Sequence, residues 1–135
     1  MSNPAGVLAA FSDGVKVFNA NTDPTIGGHL AQNVTVNSYD HTPYSGIAAV
    51  VGYFTQEFKK HAQFTPTVRG HNVTGASGKV WGYGTWVSDS SKQKFNFEFQ
   101  FIFEDSQWLF LNLDCYKLGN RGAEENDDSS VVRTE

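Results

Sequence analysis

Five of the eleven phenylalanines in this chain of 135 residues lie on alternate positions of one short stretch, residues 94–104. The stretch reads KFNFEFQFIFE, and its aromatic residues are Phe95, Phe97, Phe99, Phe101 and Phe103. Successive side chains of a β-strand point to opposite faces, so all five rings are predicted to share one face. An aromatic face of this size must be covered by helices, by a partner subunit or by an apolar ligand. What covers it therefore constrains both the fold and the function.

Length and composition predict one globular domain without affinity for nucleic acids. A chain of this length, 39% hydrophobic, can form one compact core but not two. The formal net charge is −4, and residues 119–135 contribute −3 of it. The remainder is nearly neutral and has no basic stripe, so nucleic acid is not an expected partner. We predict a single domain over residues 1–118, followed by an acidic, disordered tail over residues 119–135.

The sequence has no motif for secretion, membrane insertion or metal binding. The chain does not start with a basic segment followed by an apolar run, so no signal peptide is expected. No run approaches 18 apolar residues, so no membrane-spanning helix is expected. Together these features predict a soluble, cytoplasmic protein without a membrane partner. Cys115 is the single cysteine, which excludes an intramolecular disulfide and predicts a small buried side chain. His29, His61 and His71 lack a metal-ligand spacing, so neither a metal nor another cofactor is expected.

Hydrophobic spacing predicts helices early in the chain and strands late in it. Apolar residues at helical spacing predict a helix over residues 4–20, a short second helix containing Ile26 and Leu30, and a third helix that Ser45 caps. A first strand is predicted at residues 34–39. Four more strands follow at residues 64–74, 79–87, 94–104 and 108–116. This order predicts an α+β domain in which a curved antiparallel sheet wraps around the N-terminal helices and leaves a cone-shaped space.

The turn between the last two strands predicts which residues of the final strand share the phenylalanine face. A short turn within residues 104–107 places Phe103 opposite Trp108, and antiparallel counting extends that pairing along both strands. On this register the aromatic face continues through Trp108, Phe110, Asn112 and Asp114. The opposite face is predicted to pair Asn96, Glu98 and Gln100 with Leu113, Leu111 and Leu109. Leucines on an otherwise polar surface predict a homodimer that forms through this outer sheet face.

On this register Asp114 is the leading candidate for a catalytic residue. Burial of a carboxyl group on an apolar cavity wall raises its pKa, which suits a general acid or base. Asn112 would lie nearby as a hydrogen-bond donor. The alternative interpretation is an aspartate at a strand end that reaches water or binds a backbone amide. A register slip of one residue would move Asp114 to the outer face.

A second candidate group follows the first strand. Tyr39, Asp40 and His41 precede a helix, in a loop of the kind that often carries function. An aspartate beside a histidine can orient the imidazole for proton transfer near neutral pH. The alternative is that Asp40 stabilises a turn and His41 is solvated, because adjacent side chains of an extended chain point apart.

The order of elements and several short segments resemble the nuclear transport factor 2-like superfamily, which includes ketosteroid isomerase, scytalone dehydratase and the SnoaL-like polyketide cyclases. The matching segments are Thr35-Val36, Pro43-Tyr44-Ser45-Gly46, Ala48-Ala49-Val50 with Phe54, and the run from Phe101 to Asp105. The resemblance covers about residues 7–118. It implies the cystatin-like roll, a cone-shaped pocket between helices and sheet, and a dimer through the outer sheet face.

The catalytic residues of these enzymes are not carried over. The base aspartate of ketosteroid isomerase falls on Ser38 or Asn37, and its oxyanion acid falls on Phe99. Its tyrosine belongs to the first helix, whereas the first tyrosine here is Tyr39. The histidine of scytalone dehydratase falls near Gly84. Neither activity, as those enzymes perform it, is therefore expected.

Two functional hypotheses follow. The first is an enzyme or binding protein for an apolar, polyketide- or terpenoid-like molecule, with cofactor-free acid–base chemistry such as cyclisation, isomerisation or dehydration. Its pocket would be formed by Phe54, Tyr39, Phe97, Phe99, Phe101, Trp108 and Phe110. The second is a noncatalytic dimeric interaction module whose cavity is filled by its own rings. An open cavity above about 300 Å³ that reaches Asp114 would favour the first hypothesis.

Overall fold

The computed structural model describes residues 4–20, 26–38 and 43–117 of the chain. In chain order its elements are α1 (Pro4–Asn19), a 3-10 turn (Gly27–His29), β1 (Leu30–Asn37), β2 (Pro43–Ser45), α2 (Ile47–Lys59), β3 (Gln63–Thr74), β4 (Ser77–Val87), β5 (Lys92–Glu104) and β6 (Gln107–Lys117). The predicted tail, residues 119–135, lies outside the described residues. The predicted α+β class, with helices against one curved sheet, is confirmed.

The six strands form one sheet in the order β2-β1-β6-β5-β4-β3. The pairs from β3 to β6 form an antiparallel meander, as the short turns between them predict. In contrast, β1 pairs with β6 in parallel, so the sheet is mixed rather than wholly antiparallel. This arrangement brings the end of β1 beside the end of β6, because both strands run in the same direction.

Two local predictions near the first strand are wrong. Leu30 begins β1, where it pairs with Phe110, and does not belong to a helix. Ser45 does not cap α2, because it pairs with Thr35 in the β1–β2 ladder. The N-cap of the helix is Gly46, whose φ of 90° lies in the region that glycine adopts without steric cost.

α1 covers the inner face of the sheet, which we define as the face that carries the phenylalanines of β5. The ring of Phe11 stacks on Phe97 with a centroid distance of 5.6 Å and an interplanar angle of 11°. Gly14 lies against Phe110 so closely that a Cβ atom at position 14 would overlap the ring. The glycine that weakens the helix by propensity thus allows the aromatic sheet to approach its backbone.

None of the helices in the described part of the chain is long and apolar enough to cross a membrane.

Candidate functional site

A small cavity lies where α1, α2 and the inner face of the sheet diverge. Its volume is about 60 Å³. The residues that line it come from every layer of the fold: Gly14, Val15, Phe18, Ile26, Leu30, Val36, Ser38, Tyr53, Phe54, Phe64, Trp86, Phe99, Phe110, Leu113 and Cys115. No charged residue is among these described lining residues. The cavity is therefore a narrow apolar space, below the threshold of about 300 Å³ for a ligand pocket.

Three of the predicted pocket residues line this cavity, namely Phe54, Phe99 and Phe110. Three others, Phe97, Phe101 and Trp108, are buried but do not line it. Val7 and Phe11 of α1 cover this part of the inner face, since Phe11 stacks on Phe97 and Val7 lies next to Gly78 beside Trp108. The phenylalanine face is thus mostly packed core, and only Phe99 of its five rings reaches the cavity.

The predicted position of Asp114 is wrong, because a β-bulge shifts the register of the last hairpin. Phe101 pairs with Phe110 as expected. The preceding residue of β5, Gln100, pairs with Asn112 instead of Leu111, so Leu111 is the extra residue of the bulge. One additional residue turns every later side chain of the strand to the other face. Asp114 consequently pairs with Glu98 on the outer face, which is the opposite face of the sheet from the phenylalanines.

Asn112 is also on the outer face, where its role differs from the predicted one. Thr35 Oγ1 donates a hydrogen bond to Asn112 Oδ1 at 2.8 Å, so the amide oxygen acts as an acceptor between β1 and β6. Glu98 forms an ion pair with Lys79 Nζ at 3.2 Å and accepts a hydrogen bond from the Tyr116 hydroxyl at 3.4 Å. Neither Asp114 nor Asn112 lines the cavity.

The bulge brings two other residues of β6 to the cavity, Leu113 and Cys115. Cys115 is buried, as predicted. Burial raises the pKa of its thiol far above the ordinary value, and the negative charge of Asp114 raises it further. The thiol is therefore neutral at physiological pH and is not an activated nucleophile, because nucleophilic attack requires the thiolate.

Ser38 is the lining residue with an aliphatic hydroxyl group. It follows β1 and is 5% exposed. Because Asn37 pairs with Asp114 in parallel, the next residues along both strands, Ser38 and Cys115, are neighbours on the inner face. The alternation of Val34 and Val36 could have predicted this orientation from the sequence. The end of β1 therefore places a hydroxyl-bearing residue at the cavity, beside Cys115.

Several aromatic lining residues did not enter the sequence prediction. Phe18 packs between the helices and the sheet, with its ring centroid 5.3 Å from Phe54 and 4.9 Å from Trp86. Tyr53 stacks on Tyr44 at 4.4 Å, on the side of the cavity where β2 meets α2. These contacts join residues that are far apart in sequence, so periodicity within one element could not reveal them. Tyr39, Asp40 and His41 lie outside the described residues, directly after Ser38 in the chain.

Comparison with solved structures identifies the fold of this chain. A scan against protein-family models and a search of curated proteins found no match to this sequence. Among solved structures, a candidate dehydratase of the NTF2-like family from Streptomyces avermitilis is similar, with a TM-score of 0.75 and 15% identity over 84% of this chain and 94% of the other. A Caulobacter vibrioides protein with a cystatin-like fold has a TM-score of 0.74 and 10% identity, over 90% and 94% of the two chains.

A third similar structure is a candidate calcium/calmodulin-dependent protein kinase II association domain from Xanthomonas campestris. Its TM-score is 0.70, with 16% identity over 84% of this chain and 86% of the other. At identities this low the similarity establishes the fold alone. The chain has the nuclear transport factor 2-like, cystatin-like fold, as the resemblance of its sequence implied.

Proposed function

We propose that this protein binds a small apolar molecule in the cavity between α1, α2 and the inner face of the sheet. The observation that supports this proposal is the lining, which contains aromatic and aliphatic side chains and no charge among the described residues. Such a lining suits an apolar ligand of the polyketide or terpenoid class. The hydroxyl group of Ser38 suits one polar group at an end of that ligand.

A ligand of this class is larger than a cavity of about 60 Å³, so binding must displace side chains. Tyr44 and Tyr53 are the best candidates to move, because both rings are only partly buried and stack on each other. Apart from Val15, the other residues that line the cavity are buried. The ligand would therefore enter on the side of the two tyrosines.

If the protein is an enzyme, Asp40 and His41 are the remaining acid–base candidates. The position of Asp114 on the outer face of the sheet argues against this residue as the acid or base of the cavity. Asp40 and His41 follow Ser38 by two and three residues, and Ser38 lines the cavity. Cofactor-free cyclisation, isomerisation or dehydration requires such groups within hydrogen-bond reach of the substrate.

Mass spectrometry of a copurified ligand tests this proposal. We expect an organic extract of the purified protein to contain an apolar small molecule. Val36→Phe, which adds a ring at the cavity wall, should abolish its retention, whereas Thr35→Val on the outer face of the same strand should retain it. An extract without such a molecule, or equal retention by the two variants, would contradict the proposal.

A noncatalytic dimeric module is the second candidate, and the small cavity volume favours it. The rings of the core leave about 60 Å³, well below the roughly 300 Å³ at which ligand pockets begin. The outer face carries the partly buried side chains of Trp81 and Tyr83 and the exposed side chain of Tyr116, and aromatic residues are enriched at protein interfaces. Among the structural neighbours, one is described as an association domain and another as a dehydratase, so the same fold supports both classes.

Light scattering over a range of concentrations tests the second candidate. We expect a homodimer whose interface includes Glu98, Gln100, Leu109 and Leu111. In a two-fold symmetric interface, Gln100→Lys introduces two new charges that must be desolvated, so this variant should be monomeric. Gln56→Lys places the same charge on the exposed face of α2 and should leave the dimer intact. A wild-type protein that is monomeric throughout would contradict this candidate.

A further inference from the structure

The buried carboxylate of Glu57 contacts Trp86, one of the residues that line the cavity. Glu57 lies near the end of α2 and is 9% exposed, and Trp86 of β4, which lines the cavity, is 8% exposed. Trp86 Nε1 donates a hydrogen bond to Glu57 Oε1 at 3.0 Å. Tyr53 and Phe54, two lining residues of α2, precede Glu57 by four and three positions and therefore share its side of the helix. The hydrogen bond thus joins the helical wall of the cavity to the wall formed by the sheet.

The position of this carboxylate is unfavourable for stability alone. Burial of a charge costs free energy unless partners compensate it. The negative end of the helix dipole is also at the C-terminus of α2, where a carboxylate is disfavoured. Glu57 Oε2 has a compensating ion pair with Lys60 Nζ at 3.3 Å, and Oε1 has the indole of Trp86. An apolar residue of similar size would pack here without these requirements, so the carboxylate calls for a role beyond packing.

Backbone hydrogen bonds already attach this end of α2 to the sheet. The amide of Lys60 and the amide of Ala62 both donate to the carbonyl oxygen of Glu57, at 3.0 and 3.2 Å. The amide of Asp89, in the β4–β5 turn, donates to the carbonyl oxygen of Lys60 at 2.9 Å. The backbone therefore holds this end of α2 without using the Glu57 side chain, whose Oε1 instead accepts a hydrogen bond from the indole of Trp86.

We propose that Glu57 is a positioning residue that fixes the Trp86 indole as a rigid wall of the cavity and thereby sets its shape for an apolar ligand. The inference rests on the proposed function of the cavity. The indole contacts three other lining rings, Phe18 at 4.9 Å, Phe64 at 6.3 Å and Tyr53 at 6.4 Å between centroids. Rotation of the indole would displace these rings, so the orientation of Trp86 shapes a large part of the lining.

Xenon is a suitable probe, because it binds in small dry cavities with apolar walls. Pressurised xenon should shift the methyl resonances of Val36, Ile26 and Leu113, which line the cavity, in the wild-type protein. The side-chain N–H resonance of Trp86 reports the indole hydrogen bond in the same samples. An absence of xenon shifts in the wild type would contradict both the proposed binding function and this inference.

Two substitutions at position 57 separate the hydrogen bond from the charge. Glu57→Gln retains an acceptor oxygen of the same shape and should bind xenon within twofold of the wild type. Glu57→Leu removes the acceptor; we expect the Trp86 N–H resonance to move and xenon affinity to fall about tenfold, because the apparent affinity falls with the population of the indole orientation that keeps the cavity open. Lys60→Gln removes only the ion pair and should leave both readouts unchanged. Wild-type xenon affinity in Glu57→Leu would refute the positioning role while leaving the binding function intact.

The Trp86→Phe background distinguishes positioning from general structural support. Phenylalanine has no N–H group, so an acceptor at position 57 no longer has an indole to hold. We expect Glu57→Leu in this background to change xenon affinity less than twofold. A tenfold loss in both backgrounds would show that Glu57 acts on the helix rather than on the indole, and would overturn the inference. Urea denaturation of each variant verifies that the compared proteins are folded.

Discussion

The inner and outer faces of the β5–β6 hairpin are stabilised in different ways. On the inner face, rings such as Phe97 and Phe101 are almost fully buried, and α1 packs directly on them. On the outer face, Asn96 and Leu109 are buried, whereas Glu98, Gln100, Asn112 and Asp114 are partly or fully exposed, and polar contacts such as the Glu98–Lys79 ion pair link exposed groups. The inner face therefore contributes most of the stability through burial, whereas polar contacts between exposed groups contribute little. Asp114, the acid that the sequence predicted for the cavity, therefore belongs to the face where a substitution has little effect on the fold.

The largest contrast between the faces is expected for truncation of a buried ring. Phe97→Ala should lower the free energy of unfolding by about 3–5 kcal/mol, because it removes buried surface and leaves a cavity. Gln100→Ala, an exposed position on the outer face of the same strand, should change it by less than about 0.5 kcal/mol. Urea denaturation measures both. Similar losses for the two variants would mean that the outer face is as tightly packed as the inner face.

The close approach of α1 to the inner face predicts opposite effects for two helix glycines. Gly14→Ala should destabilise the protein by about 1–3 kcal/mol, because the new methyl group overlaps Phe110 and this cost exceeds the helix-propensity gain of about 1 kcal/mol. Gly52→Ala in α2 has open space around it and should stabilise the protein by about 0.5–1 kcal/mol. Thermal or urea unfolding gives the sign of each change. If Gly14→Ala stabilised the protein, α1 would have to lie further from Phe110 than the overlap of a Cβ atom at position 14 implies.

The buried thiol of Cys115, on the inner face, should make the free energy of unfolding decrease at alkaline pH. Its pKa in the folded protein is raised above the unfolded value of 9.0, so above pH 9 only the unfolded chain ionises this thiol. The contribution to the free energy of unfolding is fully present below pH 9 and decreases above it by about 1.4 kcal/mol per pH unit. Denaturation at pH 8 and pH 10.5 under reducing conditions should show this extra slope in the wild type but not in Cys115→Ala. Equal slopes would contradict burial of the thiol.

The smallest effect is expected on the outer face, at Asp114. Asp114→Asn should change the free energy of unfolding by less than about 0.5 kcal/mol or raise it slightly, because it removes a negative charge directly opposite Glu98. Leu113→Ala, one residue earlier on the inner face, should cost about 2–5 kcal/mol. Denaturant midpoints measure both changes. A marked loss of stability in Asp114→Asn alone would indicate a structural role that the outer position does not explain.

Periodicity predicted most of the fold but not the final register. The alternation of phenylalanines in β5 assigned its two faces, and the spacing of Val7, Phe11 and Phe18 assigned the buried side of α1, because both patterns are local. The bulge at Leu111 has no such signal, since Leu109, Leu111 and Leu113 continue an ordinary strand pattern. Pairing with β1 in parallel and packing across the sheet decide where the extra residue is accommodated. The candidate site shifted accordingly from Asp114 to Leu113 and Cys115.

The register of β5 against β6 decides which face of the sheet carries Asp114, and cross-strand nuclear Overhauser effects measure this register. The bulged register predicts contacts between backbone protons of Glu98 and Asp114, and between those of Phe99 and Leu113. These contacts do not depend on whether the outer face is covered by a second copy. Cross-strand contacts of Phe97 with Asp114 and of Phe99 with Asn112 would contradict the bulged register, because a register without the bulge places the Asp114 carboxylate on the inner face.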